Sequence, residues 1–325
     1  MKRFFISILI TAAVFFLLFT QISIRDLYAL LASIDPLWAI LGVAGYFFAI
    51  FFRALRYKWL IHSKDVPLSD LFRITTFHNL SLMVLPSKLG ELSYPYLLNK
   101  ISGMSMTEGL ASLIASRVYD FFLTLIFFLV ASVSSHALLK FNLFLVILLS
   151  LSLIGLTFLA FFYMPLLLRW FSNLLTRISQ WIVVKNRRSI HWLQVKLHEM
   201  AEDFYAIKAR GTYLSVTLAS LISWVMAFWM FYAFLRGFGI DISFMRVVFG
   251  STIAVITSAL PVGGLGNWGT LEVGWAAGFL LVGLSKGKAI ATGLGIHILI
   301  FIISALFGLV CWITLTLSPS HRQKQ

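Results

Sequence analysis

The chain has 325 residues, of which 60% are hydrophobic and 12% are charged, and its formal net charge is +14. With a mean hydropathy of +0.93, this composition excludes a soluble globular protein, and several apolar runs exceed the ~18 residues that mark a transmembrane helix. The charge could also indicate nucleic-acid binding. However, the basic residues flank apolar runs and no nucleic-acid module is recognisable, so anionic lipid headgroups are the expected partners. We predict an all-α integral membrane protein with one polytopic domain, residues 1–325.

Six apolar runs are long enough to be full spans, and the first begins directly after Lys2 and Arg3. No Ala-x-Ala cleavage site follows it, so we expect an uncleaved span rather than a signal peptide. Two interrupted regions, 70–99 and 244–285, contain apolar segments that are marginal for crossing a bilayer. We predict that each is a broken or re-entrant hairpin. The predicted spans are 4–21, 36–58, 109–134, 138–164, 213–235 and 289–317.

The two interrupted regions share a local pattern of helix-breaking residues. Leu-Pro-Ser-Lys-Leu-Gly-Glu occupies 85–91, and Leu-Pro-Val-Gly-Gly-Leu-Gly occupies 260–266. Pro86 and Pro261 each remove a backbone donor and the glycines free the backbone, so a helix should stop there. Irregular backbone at membrane depth must be buried in protein or line a wet cavity. Paired breaks in two halves are typical of a transporter binding site.

The basic residues predict the orientation of the chain. If the N-terminus lies inside, the cluster of Arg53, Arg56, Lys58 and Lys64 also falls inside. The basic loop 165–212 and the C-terminus then fall on the same side, which is the bias that the positive-inside rule describes. We therefore expect a multi-pass cell-membrane protein with both termini in the cytoplasm.

The same orientation predicts an inverted repeat. Residues 36–134 form span, hairpin and span in one direction, and residues 213–317 form them in the opposite direction. Arg117 and His297 each lie 12 residues after a serine in their own half. The halves are joined by 165–212, where apolar residues recur at steps of 3 and 4. We predict an amphipathic helical connector on the cytoplasmic side.

Three of the 12 acidic residues, Glu91, Asp120 and Glu272, fall at membrane depth or beside a break. A charge at that depth costs roughly 2.5–3.5 kcal/mol, so each needs a partner or water. Arg117 lies three residues before Asp120 on the same helix face and is its expected partner. The pair either locks helix packing, or it presents Arg117 to an anion with Asp120 as its support.

The breaks themselves could bind an anion. Lys88, next to Gly90, could offer a phosphate a point charge, and backbone N–H groups of the second break could add to it. The glycines could equally serve only to let helices approach closely. His297, the repeat counterpart of Arg117, is either hydrogen-bonded structure or a proton relay. The glycines of the second break are Gly263, Gly264 and Gly266.

Catalytic patterns are absent from the sequence. It contains no Asp-x-Asp, Asp-Asp or His-Glu-x-x-His, and the Gly-x-Ser-x-Gly match at 283–287 lacks the strand and helix of a nucleophile elbow. His191 and His198 have no cysteine partners, so no metal site is expected. No ATP motif occurs. We predict a protein that is not an enzyme and needs no cofactor.

Four stretches, 53–60, 85–91, 117–120 and 261–266, resemble the hallmarks of one family, together with Glu272. It is the flippase-like transmembrane domain of lysylphosphatidylglycerol synthases and its stand-alone relatives. The resemblance covers nearly the whole chain and implies movement of a lipid between leaflets. Two departures are notable. The soluble lysyl-transferase domain is not expected here, and His297 stands where many relatives should carry arginine.

These patterns lead to a lipid translocase as the predicted function. Its substrate would be an anionic phospholipid, an aminoacyl-phospholipid or a polyprenyl-linked glycolipid, with the headgroup in a polar cavity between the broken hairpins. Arg117, Lys88 and the glycine amides would hold the phosphate. Glu91, Asp120 and Glu272 would bind an amine, a sugar or a coupling proton. The alternatives are a small-solute transporter, or an enzyme or accessory subunit in polyprenyl-glycolipid or cell-envelope synthesis. A homo-oligomer or a partner synthase stays open.

Overall fold

The computed structural model describes residues 16–18, 20–85, 89–135, 142–181, 187–259 and 268–317. Throughout these ranges the regular structure is helical, which confirms the predicted fold class. Most of the predicted first span, 4–21, lies outside the described residues. The predicted site residues that also lie outside them are Pro86, Lys88, Pro261, Gly263, Gly264 and Gly266.

Five helices of the described chain are long and apolar enough to cross a membrane. They begin at Pro36, Met106, Leu143, Tyr213 and Lys286, and they correspond to the predicted spans that begin at 36, 109, 138, 213 and 289. The chain is therefore a multi-pass membrane protein. In chain order the helices are α1 (Ile24–Ala32), α2 (Pro36–Leu60), α3 (Leu68–Val84), α4 (Ser93–Ser102), α5 (Met106–Ser134), α6 (Leu143–Trp181), α7 (Arg187–Ala209), α8 (Tyr213–Gly237), α9 (Phe244–Ala259), α10 (Thr270–Leu281) and α11 (Lys286–Leu317).

Local chemistry explains where several helices begin and end. The Asp35 carboxylate accepts hydrogen bonds from the first backbone N–H groups of α2, and Pro36 takes the position where no donor is needed. The Ser105 hydroxyl caps α5 in the same way. Gly103 ends α4 with φ +64°, a left-handed conformation that glycine adopts without strain. Short polar segments between the apolar runs thus determine where these helices begin and end.

The connector differs from its prediction at one end. The sequence predicts that the span ends at 164, before the amphipathic helical connector, but α6 continues through Pro165 as far as Trp181. A proline removes one hydrogen bond without ending a transmembrane helix when the apolar sequence continues on both sides, as it does here. α7 then packs back along α6, and Phe204 and Ile207 on its apolar face are buried.

The helices of the two interrupted regions are short. α3 has 17 residues and is followed by a 3-10 turn, Leu89–Leu92, and by the 10 residues of α4. In the second region α9 has 16 residues and α10 has 12. Each helix is shorter than the ~20 residues that cross a bilayer. Their lengths are those expected of broken hairpins.

Helices of each predicted repeat pack against helices of the other repeat. α2 packs along α8, α3 packs against α11, and α9 packs against α5. If the halves 36–134 and 213–317 are interchanged, the contact between α3 and α11 becomes the contact between α9 and α5. This is the pattern that an inverted repeat would produce. The repeat itself stays a prediction.

Close approach of α9 and α10 depends on glycine. A Cβ atom added at Gly278 would lie 2.4 Å from the backbone oxygen of Gly250. Because backbone cannot yield as a flexible side chain can, we expect Gly278→Ala to destabilise the protein by about 1–3 kcal/mol, measured by thermal unfolding in detergent. Gly155→Ala on α6 is the matched control, since a Cβ there meets no described atom within 4 Å. Equal melting temperatures for the two variants would contradict this expectation.

Candidate functional site

A cavity of about 600 Å³ lies between the last turns of α3 and α9 and the middle of α5. On one side it is lined by Leu82 and Leu85, which precede the first break. On the other it is lined by residues of 255–259, which precede the second break. Its charged lining consists of Arg53, Glu91, Arg117 and Asp120, and most of the remaining lining is apolar.

Glu91 and Arg117 form an ion pair at the wall of this cavity. An Nη2 nitrogen of Arg117 lies 2.7 Å from Oε2 of Glu91, and its Nε lies 3.2 Å from the same oxygen. Arg117 also donates to Asp120 across 3.3 Å. Gly90 places Glu91 here, because a Cβ atom at Gly90 would lie 2.5 Å from the backbone oxygen of Ser81. Thus three of the predicted charged residues meet on one cavity.

Asp120 pairs with Arg117 as predicted, at 3.3 Å, but its shorter ion pair is with Arg56. Nη1 of Arg56 lies 2.7 Å from Oδ1 of Asp120, and Nε1 of Trp224 donates to the same oxygen at 3.0 Å. Arg56 also donates to the hydroxyl of Ser116. The sequence placed Arg56 among charges at the cytoplasmic surface, but its side chain is 0% exposed. A buried guanidinium is tolerated here because a carboxylate and hydroxyl groups surround it.

Arg53 differs from the other two arginines of the site. It lines the cavity, and its Nη1 makes a long hydrogen bond of 3.4 Å to the side-chain oxygen of Asn79. Its Nε is buried without a hydrogen-bond partner, as is that of Arg56. Within the described chain, the ion pairs of Asp120 and Glu91 go to Arg56, Arg117 and His78, and none goes to Arg53. Three arginines thus face two carboxylates, and Arg53 is the arginine of the group without an ion pair in the described chain.

Sequence reasoning missed Arg53 and Arg56 as site residues. A signal existed, since the two arginines stand three residues apart inside an apolar span and therefore share one helix face. His78 was missed as well. It is buried on α3 with its Nδ1 2.8 Å from the hydroxyl of Ser93, and its Nε2 lies 3.8 Å from Glu91. No local sequence pattern identifies this histidine as a site residue, because its partners Ser93 and Glu91 come after the first break in the chain.

Glu272 and His297 form a separate buried pair. Nδ1 of His297 lies 2.5 Å from Oε1 of Glu272, and the backbone N–H of Gly269 donates to the second oxygen at 2.7 Å. The ring of Trp268 stacks on the imidazole at a centroid distance of 3.9 Å. In the predicted repeats this pair is the counterpart of Glu91 and Arg117. It is not part of the described cavity lining, so the predicted site divides into two groups.

Comparison with protein families places the chain in a known group. A family model described as the lysylphosphatidylglycerol synthase TM region matches residues 4–308, which is nearly the whole chain. The matched range contains the cavity residues as well as the buried pair of Glu272 and His297. No curated protein matches the chain. The family description connects the chain with lipid-related processes in a membrane.

Proposed function

Since the chain belongs to the family of the lysylphosphatidylglycerol synthase transmembrane region, we propose that it is a lipid translocase. It moves a lipid with an anionic headgroup between leaflets, either an anionic phospholipid, an aminoacyl-phospholipid or a polyprenyl-linked glycolipid. The observation that carries the proposal is Arg53, a guanidinium without a carboxylate partner beside a cavity of about 600 Å³. A cation in such a low-dielectric place favours an anionic ligand.

The two cavity arginines suit a phosphate group. A guanidinium offers a planar fork of donors that matches phosphate oxygens, which an ammonium group cannot do. Arg53 is available for this contact, whereas Arg117 is already paired with Glu91 at 2.7 Å. A phosphate that binds Arg117 competes with Glu91. The released carboxylate can then accept an amine of the headgroup.

Of the two roles predicted for Asp120, we propose support of the arginines rather than binding of a headgroup amine. Its two oxygens are occupied by Arg56, Arg117 and Trp224. A carboxylate with these partners serves to hold the arginines in place rather than to bind a headgroup amine. Glu272 and His297 lie outside the described cavity lining, so we assign them to a coupling proton rather than to the phosphate.

The apolar part of the lining suits the rest of the lipid. Leu82, Ile114, Phe121 and Val255 surround the charged residues. Such surfaces accommodate the glycerol region and the first methylene groups while the tails stay in the bilayer. The headgroup therefore crosses the membrane next to Arg53, and the acyl chains of the lipid are not exposed to water.

The direct test is leaflet-resolved lipid movement in proteoliposomes. Phosphatidylglycerol with a fluorescent acyl chain should change leaflets faster in vesicles that contain the protein than in protein-free vesicles. The same label on zwitterionic phosphatidylcholine serves as the headgroup control and should move more slowly. Equal rates with and without protein would overturn the proposal. Uptake of a soluble anion or formation of a lipid product without leaflet exchange would instead favour the transporter or the enzyme.

Glu91→Gln should separate amine-bearing from simple anionic headgroups. The substitution replaces the charged acceptor for an amine with a neutral one and frees Arg117, whose ion pair with Glu91 is 2.7 Å long. We expect movement of lysyl-phosphatidylglycerol to fall about tenfold, since one charge-assisted hydrogen bond contributes about 1.5 kcal/mol. Movement of phosphatidylglycerol should be unchanged or faster. The rates of both lipids in one vesicle preparation give the comparison, and an equal loss for both would contradict this role of Glu91.

A further inference from the structure

A second polar cluster lies away from the cavity, where three segments meet at the ends of membrane-spanning helices. His62 follows α2, Glu108 lies in the first turn of α5, and Asp203 lies on the connector helix α7. Nε2 of His62 is 3.2 Å from Oδ1 of Asp203 and 3.7 Å from Oε1 of Glu108. One ligand atom from each residue lies within 4.8 Å of the other two. None of the three belongs to the cavity lining.

The cluster is held in place by its surroundings. Oε1 of Glu108 accepts the backbone N–H of His62 at 2.6 Å and that of Ser63 at 2.8 Å. The Glu108 side chain is only 2% exposed. These contacts fix a carboxylate beside the imidazole without the flexibility of a surface side chain. A preorganised set of donors is what a bound ion requires.

The two carboxylates of the cluster have only one ion-pair partner among the described residues. Glu108 and Asp203 form ion pairs with His62 alone among the described residues, and no lysine or arginine pairs with either. Oδ2 of Asp203 is buried without a hydrogen-bond partner. A buried carboxylate oxygen without a donor is costly. This oxygen is therefore available to a cation.

We propose that His62, Glu108 and Asp203 bind one divalent transition-metal ion. Imidazole nitrogen together with two carboxylates is a donor set of zinc, manganese and cobalt, whereas magnesium and calcium take oxygen donors. In a tetrahedral site, bonds of about 2.0–2.2 Å place neighbouring ligand atoms about 3.3–3.6 Å apart. The separations of 3.2 Å from His62 to Asp203 and 3.7 Å from His62 to Glu108 each differ from that range by a small shift.

The ion has a structural role in this arrangement. α7 belongs to the segment that connects the two predicted repeats, while His62 and Glu108 belong to the first of them. Without the ion, the described contacts from Asp203 to the first repeat come from the His62 ring alone. A metal ion bound to all three residues fastens the connector to the ends of α2 and α5, and binding to the folded state alone raises its stability.

A proton on His62 is the competing occupant. The hydrogen bond that His62 donates to Asp203, followed by the charge of Glu108, raises the pKa of His62 against the opposing effects of burial and of the charge of Arg210. A proton and a metal ion compete for the same nitrogen. Binding is therefore measured at pH 8, where the imidazole is more often neutral than at pH 6.

The test uses the full chain purified in detergent and treated with EDTA, with Zn²⁺ as the probe. After equilibration and gel filtration, elemental analysis should find about one zinc ion per chain, and the melting temperature should rise. A zinc concentration 100-fold above the dissociation constant should stabilise the fold by about 2.7 kcal/mol. Mg²⁺ at the same concentration should not raise the melting temperature.

Two variants and a control locate the ion. His62→Asn and Asp203→Asn should each lose the bound zinc and the rise in melting temperature. His198→Asn is the matched control on the same helix, because His198 faces Glu202 at 3.8 Å in an exposed pair and should leave binding unchanged. Absence of zinc from the wild-type chain would overturn the proposal, even if a variant fails to fold. Equal retention of zinc by His62→Asn would do so as well.

Discussion

Replacing Asp120 with asparagine is expected to destabilise the protein by about 3–5 kcal/mol, because it leaves the buried charge of Arg56 without its carboxylate. The Arg56 side chain is 0% exposed, and its ion pair with Asp120 is 2.7 Å long. Asparagine keeps the shape and can still accept from Trp224, but it cannot neutralise a guanidinium. The measurement is thermal or denaturant-induced unfolding of the purified protein in detergent.

A double variant isolates the electrostatic cause. Arg56→Gln combined with Asp120→Asn removes both charges, so it should be less destabilised than Asp120→Asn alone. Glu202→Gln is the exposed control, since Arg169 and Glu202 pair at 2.6 Å with side chains that are 42% and 52% exposed. It should change the stability by less than about 1 kcal/mol. Similar losses of stability for Asp120→Asn and Glu202→Gln would contradict the expectation that burial makes the Arg56–Asp120 pair more important for stability than an exposed pair.

Arg53→Gln is expected to slow the movement of phosphatidylglycerol between leaflets by about 10- to 100-fold. A hydrogen bond to a charged group contributes about 1.5–3 kcal/mol, and 1.4 kcal/mol corresponds to a factor of ten. The variant should fold as well as the wild type, because Arg53 has no carboxylate to leave unpaired and its hydrogen bond to Asn79 is 3.4 Å long. Rate in proteoliposomes and melting temperature in detergent are measured on the same preparation.

Two further variants make the expectation specific. Arg53→Lys keeps the charge but loses the planar fork, so an intermediate rate is expected. Arg73→Gln is the control, because Arg73 pairs with Asp70 in its own helix turn, its side chain is 36% exposed and it is not part of the cavity lining. Its rate should match the wild type. A wild-type rate for Arg53→Gln would remove Arg53 from the site and take away the main support for the proposed function.

The helices and their ends were largely predictable. Runs of apolar residues locate the five spans, since the free energy of placing a residue in hydrocarbon is mainly a property of that residue. Helix α3 ends at Val84 and α9 ends at Ala259, each two residues before a proline. The effect of proline on a helix is equally local. Only at Pro165, inside α6, did the continuing apolar sequence outweigh it.

The pairing of charges was not predictable in the same way. Counting Lys and Arg for orientation treats every one of them as a surface charge, and this misplaced the buried Arg56. Its partner Asp120 lies 64 residues away in the chain. Arg117 was identified from its spacing to Asp120, yet its shorter ion pair is with Glu91, 26 residues before it. Spacing within one helix reveals neighbours on that helix and nothing about the next one.

Hydropathy and backbone chemistry were therefore enough to establish a helical membrane protein, five of its spans and the positions of its breaks. The packing of α2, α5 and α9 decided which charges compensate each other and that Arg53 is left over beside a cavity. The division has a physical reason. Hydrophobic transfer and backbone preference belong to single residues, whereas Coulomb energy and desolvation depend on distances and burial that arise only when helices pack.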